Sequence, residues 1–316
     1  MAASCQTVAE TIADVLKRRP VLEPVLRFFE PVLIAQADVA AGLTRALRAS
    51  APRLPEFDPE RARQGASLLA GVPLTGAASA MRRSAKKLLP LLAGLEAMKT
   101  HVPALEAFFL KPARKGAQDR RELLAEAVVS GDAGVFERLG GQGGLEPALL
   151  EFVTGLVLAP VLRAMTARIP AVEGEAPWDA GNVWRQGYCP VCGSLPSMGW
   201  FDKPALEEKN AFLVSGGGKK HLHCGLCGAD WKFRRGACPA CGKEGGVMEL
   251  LRESGPAQGE RLDWCTSCKA YCPTVDLRER ESRPNLDALA LGMMHLDMVA
   301  ADKKLHPLKP SFWNRF

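Results

Sequence analysis

Eight of the ten cysteines fall into four C-x-x-C pairs within eighty residues: Cys189-Cys192, Cys224-Cys227, Cys238-Cys241 and Cys265-Cys268. A thiolate pair at this spacing reaches one metal ion from a single tight turn, and two such turns supply the four soft sulfur ligands of a tetrahedral site. Four turns therefore make two four-cysteine sites. Gly193, Gly228 and Gly242 directly follow the second cysteine of their pairs, where glycine admits positive φ and lets N–H groups point at the sulfurs. Lys269 stands at the fourth such position, and Pro190 and Pro239 stiffen two of the turns.

Two pairings are open. Consecutive pairing leaves thirty-one and twenty-three residues between knuckles, spans that suit small β-modules, whereas the ten residues between Cys227 and Cys238 leave room for an interleaved cross-brace. The consecutive arrangement is the expected one. Disulfides are not expected, because no secretory signal is read at the N-terminus and regular C-x-x-C repeats then favour metal. A thioredoxin-like redox pair needs a strand before it and a helix after it, and turns with short strands surround these pairs instead. Modules this small cannot build a sufficient core, so bound metal would supply folding energy.

The elements that must position these turns divide the chain at Ile169-Gly181, a stretch of prolines, glycines and acids. Before it, apolar periodicity predicts helices over 1–19 (Val8, Ile12, Val15 and Leu16 on one face, ended by Pro20) and Leu22-Ala49. Pro24 and Pro31 mark expected helix starts, and Phe28, Phe29, Leu33, Leu43 and Leu47 are core candidates. Further helices are predicted over Pro59-Leu69 behind an Asp58 cap, Ala77-Leu95, Val102-Leu110, Gln118-Val129 and Ala133-Leu139. A central helix follows over Glu146-Arg168. Gly140-Gly144 reads as a flexible turn, since it lacks the pattern of a phosphate-cradling loop. After the boundary, Ser197-Asp202, Asn210-Val214, His221-His223, Val247-Arg252 and Arg261-Trp264 read as strands. Asn285-Asp302 is helical again, with Ser282 as its cap, and is expected to pack back on the N-terminal helices. The expected fold is multidomain α+β: helical domain 1–170, linker 171–183, metal modules 184–232 and 233–280, and a C-terminal helix and tail over 281–316.

The chain of 316 residues is 47% apolar and carries a formal charge of +6. Between Cys189 and Cys272 eleven Lys/Arg face nine Asp/Glu, and eight thiolates with two divalent ions turn that small excess negative. This is a poor electrostatic footprint for nucleic acid. Trp178, Trp184, Trp200, Trp231 and Trp264 are expected to pack module cores rather than to stack bases. Leu145-Leu162 is apolar but interrupted, and reads as a core helix rather than a membrane span. Arg82, Arg83, Lys86 and Lys87 read as a solvated helix face, His221 and His223 as surface strand residues, and Cys5 and Cys272 as free thiols. No catalytic constellation is read.

From Tyr188 onward the chain resembles the formate dehydrogenase accessory protein family, FdhE. The resemblance is carried by Cys189-Pro190-Val191-Cys192-Gly193-Ser194, by Leu222-His223-Cys224-Gly225-Leu226-Cys227, by Trp231 and Arg235 leading to Cys238-Pro239-Ala240-Cys241-Gly242, and by Cys265-Thr266-Ser267-Cys268-Lys269-Ala270-Tyr271. Gly71-Val72-Pro73-Leu74 and Leu296-Asp297 add to it. It implies a helical domain followed by two rubredoxin-like modules, with iron at the four-cysteine sites and zinc as the alternative. It also implies a cytoplasmic, non-catalytic maturation factor that binds the catalytic subunit of a respiratory formate dehydrogenase before its export. One-electron transfer is the second expectation and a nucleic-acid-binding zinc ribbon the third.

Overall fold

The computed structural model describes residues 5–46, 54–112, 118–203, 218–252, 258–311 and 314. The expected strand Asn210-Val214, the core candidate Leu47 and the last two residues lie outside the described residues.

Helix α1 (Val8–Arg18) opens with a capping box: Glu10 N–H donates to Thr7 Oγ1 at 3.2 Å, and Thr7 N–H donates to the Glu10 carboxylate at 2.7 Å. It stops before Pro20, and a 3-10 turn over Pro20–Leu22 leads into α2 (Glu23–Ala46). Pro31 does not start a helix but lies inside α2. The loss of its N–H is tolerated because α2 packs along its length against other helices of the body. Asp58 caps α3 (Pro59–Arg63), which ends six residues earlier than expected. The backbone beyond it turns to the first knuckle instead, where the N–H groups of Leu68 and Leu69 donate to the carbonyls of Pro190 and Val191 at 2.8 and 2.9 Å.

The body continues with α4 (Ala77–Leu92), α5 (Glu96–Lys99), α6 (Val102–Phe109), α7 (Arg120–Ser130), α8 (Ala133–Gly143) and α9 (Pro147–Thr166). The glycine run expected to be a turn is instead the C-terminal half of α8, ended by Gly144 in the left-handed region at φ 64°. Close packing explains it. A Cβ on Gly140 would stand 2.7 Å from the Leu145 carbonyl, and one on Gly143 would overlap the Phe108 ring. Helix α9 is long and apolar enough to cross a membrane, yet most of it is buried against α2, α4, α7 and α8.

Seven short strands follow among the described residues: β1 (Met198–Phe201), β2 (Lys220–His223), β3 (Asp230–Lys232), β4 (Met248–Leu251), β5 (Glu260–Cys265), β6 (Ala270–Asp276) and β7 (His306–Pro307). They form one sheet in the order β3-β2-β1-β6-β5-β4, with β7 alongside β6. The strands of both metal modules thus share a sheet, joined where β1 runs parallel to β6 and Trp200 pairs with Val275. The C-terminal helix is two helices, α10 (Leu286–Gly292) and α11 (Met294–Asp302), divided at Met293. Asn285 rather than Ser282 caps the first, accepting from Ala288 N–H at 3.0 Å.

Two cores result. One runs through α2, α4 and α6 to α9 and into the first module, taking in Trp178, Trp184 and Trp231. The other gathers α1, strands β1, β5 and β6, and α10 and α11. The C-terminal segment does return to the N-terminal helix: Asn285 N–H donates to Thr11 Oγ1 at 2.9 Å, and Arg280 pairs with Asp14 at 3.0 Å. A helical N-terminal part, a sheet bearing two four-cysteine clusters and a helical end together make the α+β class expected.

Candidate metal centres and their surroundings

Each knuckle is the same turn. The residue after the second cysteine, which is Gly193, Gly228, Gly242 or Lys269, donates its N–H to the carbonyl of the pair's first cysteine at 2.8–3.0 Å. These four residues share positive φ: 75°, 75°, 71° and 63°. The glycine positions are therefore needed for backbone conformation, although their N–H groups close the turn on a carbonyl rather than on sulfur. Lys269 adopts the same conformation despite its Cβ, and its ammonium lies 5.2 Å from the centre of the Trp264 ring.

The turns meet consecutively. Cys189, Cys192, Cys224 and Cys227 form one cluster, and Cys238, Cys241, Cys265 and Cys268 the other, with all sulfurs of a cluster within 4.8 Å of one another. Cys189–Cys227 and Cys192–Cys224 are 3.4 and 3.5 Å apart; Cys238–Cys268 and Cys241–Cys265 are 3.6 and 3.9 Å apart. A tetrahedron with metal–sulfur bonds of about 2.3 Å has edges of about 3.8 Å, so both clusters could hold a tetrathiolate ion. Burial pushes the Cys189 and Cys227 thiols up, while hydrogen bonds from the surrounding sulfurs pull Cys224 down. A bound cation would favour the thiolate form of all four.

The clusters differ in setting. All four cysteines of the first are buried, whereas in the second Cys241 is exposed and Cys268 half-buried. The first is also ringed by charge. Arg163, from α9, donates to the Gly225 carbonyl inside the second knuckle at 2.5 Å and pairs with Asp287 of α10 at 2.7 Å. Lys309 donates to Ser194 Oγ at 2.7 Å and lies close enough to lower Cys224.

His221 and His223 are not surface residues. His221 stacks on Trp200 at 4.1 Å. His223 is buried, with Nδ1 2.8 Å from Asp230 and Nε2 3.5 Å from Asp287. Burial opposes its protonation, but the two carboxylates outweigh burial and raise it to about 10. It is an imidazolium linking β2, β3 and α10. Cys272 is buried on β6 outside both clusters, pushed up to about 12 by burial, and Cys5 is exposed, so neither joins a cluster. Trp178, Trp184 and Trp231 are buried with their indole N–H groups bonded to the carbonyls of Asp230, Tyr188 and Gln186. Trp200 is buried too, which leaves only Trp264 partly open among the five. Arg163, Asp230 and Asp287 were not singled out by the sequence. The lone arginine in the apolar run of α9 was the available signal.

No family model matches the chain. A curated relative from Pseudomonas aeruginosa, Protein FdhE homolog, is 29% identical over 275 residues, 84% of this chain and 78% of that protein. The crystal structure of the FdhE protein from Pseudomonas aeruginosa superposes with a TM-score of 0.61 at 22% identity, covering 97% of this chain and 93% of that one. The chain is similar to FdhE proteins over most of its length. Two other FdhE homologs match over shorter stretches. That of Shewanella oneidensis is 29% identical over 38% of this chain and 35% of its own length. That of Aquifex aeolicus is 26% identical over 54% of each. These matches thus span about a third to a half of those relatives. The FdhE structure shares the fold as a whole, so the helical body and the two-cluster sheet belong to one architecture.

Proposed function

We propose that this chain is a maturation factor for a formate dehydrogenase: a non-catalytic, cytoplasmic protein that binds the catalytic subunit before export. The observation that carries this reading is the FdhE likeness over 84% of the chain. The geometry supports a binding role, because the helical body, the sheet and the C-terminal helices meet around an open groove beside the first cluster.

In this reading Cys189, Cys192, Cys224 and Cys227 hold one metal ion, and Cys238, Cys241, Cys265 and Cys268 hold a second. Iron is the ion proposed, with zinc as the alternative that the same donors accept. When bound, the ion supplies cross-links that hold distant turns together. The chain's own residues supply the rest. Four closed turns present the sulfurs, Arg163 and Lys309 offset the negative charge at the first site, and the His223–Asp287–Arg163 chain ties that site to α9 and α10.

Deleting the gene should abolish formate dehydrogenase activity while leaving the catalytic subunit's transcript unchanged; full activity in the deletion strain would refute the role. Metal analysis and the visible spectrum of protein purified without oxygen separate iron from zinc. A second reading, one-electron transfer, draws on the exposure of Cys241 at the second cluster. It requires reversible bleaching of a ferric thiolate spectrum by a mild reductant, and a colourless zinc protein with full activity excludes it.

A further inference from the structure

We propose that the groove between α2, α9 and the C-terminal helices is a docking site for an apolar peptide segment of the partner protein bearing one lysine or arginine, with Asp297 as the acceptor of that cation. The groove encloses about 610 Å³. Its walls are apolar: Val32 and Leu33 from α2, Leu149 and Leu156 from α9, Leu291 from α10, and Leu308 after β7.

The charge inside it decides the occupant. Arg163, Lys309, Asp287, Glu151 and Asp297 line it. Arg163 and Asp287 are paired with each other, and Lys309 is engaged by Ser194 and faces the thiolates of the first cluster. Glu151 is exposed at the rim. Asp297 is only 3% exposed, and the group that bonds it is neutral: the Tyr271 hydroxyl donates to Oδ1 at 2.7 Å. Burial pushes this carboxyl up to about 6, and among the described residues no basic side chain offsets that effect. Among the described residues that line the groove, Asp297 is thus a buried carboxylate without a cationic partner, set among apolar walls. A hydrophobic segment alone would leave that carboxylate desolvated and unpaired, and an acidic one would add repulsion. A segment with one base among apolar residues satisfies both walls and floor.

The proposal rests on the maturation reading only for the source of the segment, and its test is independent of that reading. Three blocked leucine–alanine peptides, alike except for a central lysine, norleucine or glutamate, would be titrated into the metal-loaded full-length protein by calorimetry. The lysine peptide should bind about tenfold tighter than norleucine, and glutamate weakest. Asp297→Asn should bring lysine and norleucine to equal affinity. Gly155→Phe offers a blocking variant that should fold: Gly155 lines the groove, and a Cβ there meets nothing within 4 Å. With metal content and circular dichroism unchanged, it should abolish binding of all three peptides. Equal affinities in the wild-type protein, no binding of any peptide, or binding that survives Gly155→Phe would overturn the proposal. So would a wild-type dimer that Gly155→Phe dissociates, which would assign the groove to a second copy. None of these results would alter the phenotype of the gene deletion.

Discussion

Replacing Asp297 by asparagine should make the protein more stable at neutral pH. The carboxyl is raised from 3.8 to about 6, first by burial, with the Tyr271 hydroxyl opposing the shift. The unfolded chain ionises it more readily than the folded one, so above pH 6 the native state bears the cost of a desolvated charge. Two pH units at about 1.4 kcal/mol each set a ceiling of about 3 kcal/mol. An amide keeps the acceptor for Tyr271 but buries N–H donors of its own, which leaves a gain of about 1–2 kcal/mol. That corresponds to a rise in Tm of about 3 °C. As pH falls through 6 towards 3.8 the native carboxyl protonates and the wild-type handicap fades; about half should be gone by pH 5. Thermal melts of both metal-loaded proteins at pH 8 and pH 5 test this. A gain of equal size at both pH values, or destabilisation at pH 8, would refute the reasoning.

Three further outcomes follow from the metal clusters. Chelator-driven metal release should be biphasic, with the exposed second cluster losing its ion first, and Cys241→Ser should remove the fast phase while leaving the slow one. Arg163→Met leaves Asp287 and His223 without the guanidinium and frees the Gly225 carbonyl. It should cost about 3 kcal/mol in urea denaturation and weaken metal retention at the first cluster alone. Lys269→Val should destabilise by about 2 kcal/mol, because a β-branched residue resists the φ of 63° found there, whereas Lys269→Gly should be neutral or better; denaturation curves of the two variants decide.

The knuckles were legible because their chemistry is local: four residues contain a turn and two ligands, and the next one closes it. Helix boundaries were legible for the same reason, wherever a cap or a proline marked them, as at Asp58 and Pro20. What escaped the sequence was decided by contacts between distant segments. The parallel pairing of β1 with β6, which joins two modules into one sheet, leaves no mark in either strand. Gly140 and Gly143 carry a turn's composition but sit in a helix, because Phe108 and Leu145 leave no room for a side chain. His223 looked like a surface residue because Asp230 and Asp287, the carboxylates that make its burial tolerable, lie seven and sixty-four positions further on.

The meeting of α1 with α10 has a consequence for synthesis. Thr11 and Asn285 are 274 positions apart, and Asp14 and Arg280 are 266 apart. At roughly 10 residues per second the first helix leaves the ribosome about half a minute before α10 exists, with α2 as its early neighbour. During that interval the part of the apolar face of α1 that meets α10, Val15 against Gly292 included, has no cover from it. The protein is then itself a chain with an exposed apolar face, and its last helices close the fold from both ends at once.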